Sequence, residues 1–364
     1  MGRGEPPEAA ITITGPGVHL GVPSIRILFF ADTHLGFDLP QRPRVIRRRR
    51  GHDFFANFER VLQVAVDSAV DFVVHGGDLF FRSRVPAQLV QRAFLPLKRV
   101  ADAGIPVFLV PGNHERSHIP YPMLALHPRI RIFDRPRTFL EDAGDVRVAF
   151  AGFPYYKGDV RTGFQGLLEQ TGWHNTRAGV NLLCIHHCFE GATVGPADYV
   201  FRHASDVIRL AEVPPDFAAV LSGHIHRHQV LVRDLKGQAI PTPILYPGSI
   251  ERTSFAEQNE SKGYLLLEFE CVEGRQGRLS RWDFHELPAR PMVAHDLRLD
   301  GRNAGELEAA IRRLVEQAPQ DAILRIRLLG PLGREHRPVT RAASLRGMAP
   351  DTMNLETVLV DRRW

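Results

Sequence analysis

The pattern of apolar and polar positions divides this chain into buried strands and amphipathic helices that take turns. Residues 25–36 set the theme. Five of the first six are apolar, which predicts a fully buried strand, and the run breaks off at Asp32 and His34. Residues 52–69 place Phe54, Phe55, Phe58, Val61 and Leu62 at helical spacing, so an amphipathic helix is expected there. Residues 70–75 predict a second strand, 88–103 a second helix closed by Gly104, and 106–110 a third strand. Alternation of this kind is the βαβ unit of a layered α/β protein. Further strands are expected at 129–133, 146–150, 182–185, 218–221 and 265–269, the last paired with 278–286.

The two ends of the chain read differently. Residues 1–23 hold prolines and glycines without sustained periodicity and predict a loose extension, with a short strand at 10–14. A proline-bearing stretch at 287–291 predicts a linker. Beyond it a strand (295–299), a helix (305–317), a strand (322–328) and a last strand (357–361) predict a small α/β module. The expected organisation is an extension over 1–23, a main domain over 24–286 and a small domain over 287–364.

The chemistry gathers where the strands stop. Asp32 and His34 are two residues apart, so from an extended chain they project the same way. Gly77-Asp78 closes the second strand and Asn113-His114 the third. His186-His187 follow 182–185, and His224 and His226, with Ile225 between them, follow 218–221. Any one of these alone is more often a polar turn, but strand ends are where function collects in α/β folds. Carboxylate, imidazole and carboxamide donors together suit manganese, iron or zinc. Seven candidate ligands (Asp32, His34, Asp78, Asn113, His186, His224 and His226) exceed the needs of one tetrahedral ion, and His187 stands beside His186 as an alternative. They suit two ions sharing a bridge, an arrangement built for displacement at phosphorus, with Asp78 on the central strand as the bridge.

Composition narrows the class. At 364 residues, 44% apolar and 24% charged, the chain has the balance of a globular protein with length for two domains. No apolar run approaches the roughly 20 residues that span a bilayer, so no membrane role is expected. The first residues lack the basic start and apolar core of a signal peptide, and three cysteines make no disulfide framework, so a reducing cytoplasmic location is expected. Cys184 and Cys188 read as buried inert thiols. The net charge of +5 is compatible with a polyanionic partner. Residues 37–51 carry Arg42, Arg44 and four consecutive arginines at 47–50, readable either as a solvated basic loop or as a contact for phosphates beside the site. No Gly-x-Ser-x-Gly elbow and no phosphate loop of the Gly-x4-Gly-Lys-Ser/Thr type is present.

Asp32-x-His34, Gly77-Asp78, Gly112-Asn113-His114-Glu115, His186 and Gly223-His224-x-His226 together resemble the five-block signature of the calcineurin-like metallophosphoesterases. The resemblance implies a β-sandwich flanked by helices around two divalent ions. It gives Asp32, His34, Asp78 and His226 to one ion, and Asp78, Asn113, His186 and His224 to the other. His114 becomes the catalytic acid or transition-state stabiliser, and a metal-activated hydroxide the nucleophile.

Within that superfamily the chain resembles the SbcD-type DNA-repair nucleases. The residues that carry this are Asp71-Phe72, Gly77-Asp78-Leu79-Phe80, Arg84, Pro86, the block from Tyr246 to Glu257, and Lys262-Gly263. This implies manganese-dependent exo- and endonuclease action on DNA, a homodimer, an SMC-like ATPase partner, a catalytic domain over 24–286 and a capping domain over 287–364. Two departures stand out. Phe81 occupies the place of a histidine that orients DNA in those nucleases, and few residues follow the cap to form an ATPase-binding helical segment. The competing expectations are a small-molecule or nucleotide phosphodiesterase or phosphatase, and a DNA-end-binding module with a silent site.

Overall fold

Period-two alternation decides how the core is layered. Along the strand Ser24–Phe30, Ile25, Ile27 and Phe29 face one way, while Leu28 and Phe30 face the other. The first set packs against residues of a second sheet, including Val148, Phe150, Leu182, Cys184 and Leu221. The second set packs against the helices Arg50–Asp67 and Ala87–Asp102 through Phe54, Phe58, Val61, Val90 and Leu97. A strand buried on both faces has no polar alternation, which is why this one reads as a continuous apolar run. The computed structural model describes residues 23–40, 42–115, 127–271 and 276–360; the expected strand at 10–14 lies outside them, as does all but the last residue of the expected 1–23 extension.

Two six-stranded mixed sheets form the sandwich. In the first, Ser24–Phe30, Phe72–His75, Val107–Leu109 and Ile130–Ile132 run parallel, and Gly263–Glu270 and Arg278–Glu286 extend the sheet antiparallel beside Ser24–Phe30. In the second, Val146–Gly152, Val180–Ile185, Ala219–Ser222 and Ala239–Tyr246 are parallel, with the antiparallel strands Arg137–Ala143 and Gln229–Arg233 at the edges. The helix Val160–Gln170 covers the outer face of that second sheet through Val160, Phe164 and Leu168. The result is the expected sandwich with helices on both sides.

The strands expected from apolar runs are present, but the edge strands Arg137–Ala143 and Gln229–Arg233, the inner strand Ala239–Tyr246 and the helix Val160–Gln170 were not expected. Arg137–Ala143 lies half-buried or exposed along its length, so its sequence carries no apolar run. The helix holds only a narrow apolar stripe and starts where the Asp159 carboxylate accepts from the Thr162 N–H.

The carboxyl-terminal residues form a third, parallel three-stranded sheet from Met292–Arg298, Ile323–Leu329 and Asn354–Val360. The helix Ala304–Gln317 and the short helices Arg337–Thr340 and Ala342–Met348, which were not expected, pack over it in a separate apolar cluster around Leu307, Ile311, Leu324 and Met353. The segment expected as a linker has no regular structure, yet it is anchored. Arg290 is buried and binds Asp53 of the first helix at 2.8 Å, the carbonyls of Asp321 and Thr352, and the Asn354 side chain.

The arginines at 47–50 all hold contacts within the molecule, but only two of the four meet a carboxylate. Arg48 pairs with Asp53 and Arg49 with Asp38, while Arg47 and Arg50 donate to carbonyls of Met353 and of Arg252 and Thr253. Arg42 and Arg44 are exposed. Among the described residues no helix is long and apolar enough to cross a membrane. Cys184 and Cys188 are free and buried, as expected, and so is Cys271.

Candidate metal centre

The parallel strands of both sheets point their carboxyl ends at one place, and the polar residues after five of them meet there. Backbone pairing holds the first two together: Asp32 N–H donates to Gly77 O at 2.9 Å and His34 N–H to Asp78 O at 3.0 Å. Asp32, His34, Asp78 and His224 all have positive φ, at 52°, 42°, 55° and 81°. Side chains larger than glycine rarely accept this conformation, and such strain is concentrated at functional sites. The backbone between them leaves no room for a side chain. A Cβ on Gly77 would stand 2.1 Å from His186 Nδ1, and one on Gly112 2.2 Å from Asp78 Oδ1.

The side chains converge closely. His34 Nε2 lies 3.0 Å from His226 Nε2, and His226 Nε2 3.9 Å from Asp32 Oδ1. His186 Nε2 is 3.5 Å from Asp78 Oδ2 and 3.0 Å from Asn113 Oδ1, and the same oxygen is 3.0 Å from His224 Nδ1. Two triads, Asp32–His34–His226 and Asp32–Asp78–His186, bring their ligand atoms within 4.8 Å of one another. A third, His34–Asp78–His114, does so with His114 included. All seven residues expected as ligands are thus in one cluster.

Hydrogen bonds on the far side of each ring decide which atom faces inward. His186 Nδ1 lies 2.8 Å from the Gly76 carbonyl, which can only accept, so the proton sits on Nδ1 and the Nε2 lone pair faces Asn113 Oδ1 and Asp78. His226 Nδ1 faces Glu257 Oε1 at 3.3 Å, leaving its Nε2 lone pair toward His34. The inward Nε2 of His186 therefore faces only acceptor oxygens, those of Asp78 and Asn113, an arrangement that a cation between them, proton or metal, satisfies. Spacings of about 3–3.5 Å are those of atoms sharing an ion bound at about 2.1 Å. The donor set fits divalent metal on this observation. His34 Nδ1 is also buried without a partner among the described residues.

The electrostatics agree. Burial pushes the Asp32 carboxyl up to about 6, against the opposing charges of His186 and His226. Burial also acts to raise Asp78, but the charge and hydrogen bond of His186 overcome it and hold the carboxyl below its ordinary value. His186 is correspondingly raised to about 9, burial opposing and Asp78 prevailing. A proton there does what a metal cation would do. Burial, and then the His186 charge, lower His224 to about 3.

His187, the alternative to His186, is elsewhere. Its Nε2 accepts from the Tyr156 N–H at 3.0 Å and its ring stacks on Tyr155, 4.8 Å between centroids. His114 is part of the cluster but turned to one side. Its N–H donates to Asp78 Oδ1 at 2.9 Å, its Nδ1 donates to Phe81 O at 2.7 Å, and its Nε2 lies 3.8 Å from Asp78 Oδ2. About a third of its side chain is exposed (33%), which distinguishes it from the fully enclosed His186.

Three buried residues behind the cluster were named from sequence only as parts of motifs and given no role. Glu115 accepts from the N–H groups of Phe80 (2.6 Å) and Gly112 (2.7 Å), clamping two strand-end loops together. Burial and then the Asp78 charge raise its carboxyl to about 8. Glu257 and Lys262 form an ion pair at 2.7 Å behind His226. The only signal in the sequence was their place inside the blocks already noted, at 111–115 and after Tyr246.

A sandwich whose strand ends gather carboxylates, imidazoles and a carboxamide in this order defines a dinuclear metallophosphoesterase. The calcineurin-like phosphoesterase model matches residues 25–228, more than half of the chain, and the chain belongs to that family. The family implies a dinuclear divalent metal site. Among individual proteins, the chain is 30% identical over 323 residues to the DNA double-strand break repair protein Mre11 of Haloferax volcanii, covering 87% of this chain and 63% of that one. The proteins of that name from Methanosarcina acetivorans (29%, covering 82% of this chain and 45% of that one) and Aeropyrum pernix (25%, covering 79% and 66%) are similar in the same way. The chain thus spans between about half and two thirds of the length of these relatives.

Proposed function

We propose that this chain is a two-metal phosphodiesterase that hydrolyses DNA phosphodiester bonds in double-strand break repair. The observation that carries the chemistry is the convergence of ligand atoms on one place, with His186 Nε2 facing the Asp78 and Asn113 oxygens at 3.5 and 3.0 Å and His34 and His226 meeting at 3.0 Å beside them. Asp32, His34, Asp78 and His226 would hold one ion, and Asp78, Asn113, His186 and His224 the other. When bound, divalent ions supply Lewis acidity at phosphoryl oxygens and lower the pKa of water. The chain's own residues do the rest. Glu257 and Gly76 fix the rings of His226 and His186. The Phe81 carbonyl holds the proton on His114 Nδ1, so Nε2 is the atom left to meet a leaving-group oxygen or the charge that develops there.

The choice of DNA as substrate is supported by similarity to curated DNA double-strand break repair proteins over most of the chain. Manganese is the proposed metal, since the mixed oxygen and nitrogen donor set suits it. Residues 24–286 are proposed as the catalytic domain and 287–364 as a cap, in keeping with the separate sheet and apolar cluster of the latter. A homodimer and an SMC-like ATPase partner follow from the resemblance to SbcD-type nucleases. Three free buried thiols fit a reducing cytoplasm.

The test is hydrolysis with added manganese, comparing linear duplex and single-stranded DNA with bis-p-nitrophenyl phosphate and mononucleotides. DNA cleavage that disappears in His114→Ala supports the proposal. Turnover of small diesters with DNA untouched would replace it with a small-molecule phosphodiesterase, and no turnover of any substrate would leave a binding module.

A further inference from the structure

Outside the metal centre the chain holds a second concentration of positive charge that its neighbours offset only in part. A cavity of about 470 Å³ opens between the segment that follows His34 and the carboxyl-terminal sheet. Its walls include Phe37, Asp38, Arg47, Arg49 and Arg50 on one side and Arg346 on the other. That volume is within the range of roughly 300–1,000 Å³ typical of small-ligand pockets.

The carboxylates at this cavity are already engaged. Asp38 pairs with Arg49 through one oxygen at 3.2 Å and accepts the Arg50 backbone N–H with the other. Glu356, also on the wall, is paired with Arg325 at 2.6 Å. Arg47 and Arg50 donate to backbone carbonyls of Met353, Arg252 and Thr253, which satisfy N–H groups but leave the positive charge in place. Phe37 lies under Arg50, 4.9 Å from the guanidinium carbon to the ring centroid. Arg47, Arg50 and Arg346 make no ion pair among the described residues. The Nε groups of Arg47, Arg49 and Arg50 are buried and lack any partner there. Burial, and then the charges of Arg49 and Arg346, push the Arg47 guanidinium below its ordinary value, against the opposing charges of Asp351 and Asp38. An arginine does not shed its proton, so an anion is what relieves this repulsion. The forked donors of guanidinium match phosphate oxygens best.

We propose that this cavity is a second anion site, separate from the metal centre, that takes a phosphate monoester: the terminal phosphate of a nucleic-acid strand or that of a free mononucleotide. The site does not depend on which ester the metal centre hydrolyses.

The test uses the full chain and three probes: dAMP, and a single-stranded oligonucleotide with and without a 5′ phosphate. Binding is measured by calorimetry for wild type, Asp78→Ala, Arg47→Gln and Arg346→Gln. Arg346 is exposed and its side chain makes no hydrogen bond among the described residues, so its replacement leaves the fold intact, as an unchanged melting temperature checks. Binding of a phosphate probe is expected to survive Asp78→Ala and to weaken about tenfold in each arginine variant, the worth of one charge-assisted contact. Hydrolysis of bis-p-nitrophenyl phosphate should stay unchanged in those variants. Equal affinity for dAMP and the phosphorylated strand identifies a nucleotide site, and preference for the phosphorylated strand identifies a strand-end site. Binding that vanishes in Asp78→Ala, or that is untouched in Arg346→Gln, overturns the proposal.

Discussion

The backbone carbonyl of Phe81 accepts a hydrogen bond from His114 Nδ1 at 2.7 Å. The position that departs from the nuclease pattern thus orients the proposed catalytic histidine through an atom every residue carries. The Phe81 ring adds a wall: it lies 5.5 Å from the His114 ring and 6.1 Å from that of His34, with Phe37 behind it at 5.0 Å.

Phe81→His should therefore leave hydrolysis of bis-p-nitrophenyl phosphate within about twofold of wild type while raising cleavage of DNA. His114→Ala should cost about 10²–10⁴ in kcat on either substrate, the usual worth of a positioned acid. Steady-state kinetics on both substrates checks the pair. Equal loss in Phe81→His and His114→Ala would show that the aromatic wall, not the carbonyl, holds the histidine.

Glu257 acts through His226. It accepts from His226 Nδ1 at 3.3 Å and from the hydroxyl of Thr253 at 2.5 Å, with Lys262 at 2.7 Å to balance its charge. Glu257→Gln should lower metal affinity by about 10–100-fold, as loss of a partner behind a ligating histidine does. Manganese titration followed by calorimetry measures it, and unchanged affinity would remove Glu257 from the site.

Arg290 ties the first helix to the carboxyl-terminal sheet. Its guanidinium satisfies Asp53, two carbonyls and Asn354, and is 4% exposed, so Arg290→Met strands several polar groups at once. Asp53 keeps Arg48, which places the expected destabilisation near the low end, about 3 kcal/mol. Urea denaturation reads this directly; a loss under 1 kcal/mol would mean that the contact is incidental.

His75 predicts how stability depends on pH. Its Nδ1 accepts from the Gly77 N–H at 3.3 Å and its Nε2 lies 3.1 Å from Thr33 Oγ1, so the buried ring is neutral. Burial, and then the His186 charge, lower it to about 3 from an ordinary 6.5. The unfolded chain then binds the extra proton first as pH falls. The contribution of His75 is fully present above about pH 6.5 and is lost progressively toward pH 3. His75→Gln should lose less stability than wild type between pH 7.5 and 5 in denaturant titrations. Parallel loss in the two proteins would contradict this reading.

Much of the site was legible because its residues share one structural rule. Asp32, Asp78, Asn113, His186 and His224 each follow a buried parallel strand, and an apolar run is the signal that a sequence shows most clearly. Choosing between His186 and His187 was not possible, since neighbouring residues at a strand end point in opposite directions and only the neighbours decide which is inward. How the arginines at 47–50 are held was not legible, because charge can be counted in a sequence while its partners cannot: Asp53 and Asp38 are nearby, but the carbonyls around 252 and 353 lie far off along the chain. Edge strands such as Arg137–Ala143 escaped because half of each faces solvent. The pairing of Glu257 with Lys262 escaped because a buried pair looks, in sequence, like two surface charges.

The central claim is a dinuclear centre bridged by Asp78. Its most direct test is the number of manganese ions retained per chain after equilibration and gel filtration, measured by mass spectrometry of the metal. The account predicts about two ions in the wild-type protein, as in two-metal phosphoesterases, and loss of both in Asp78→Ala. A wild-type protein that holds a single ion, or an Asp78→Ala protein that keeps two, would contradict it.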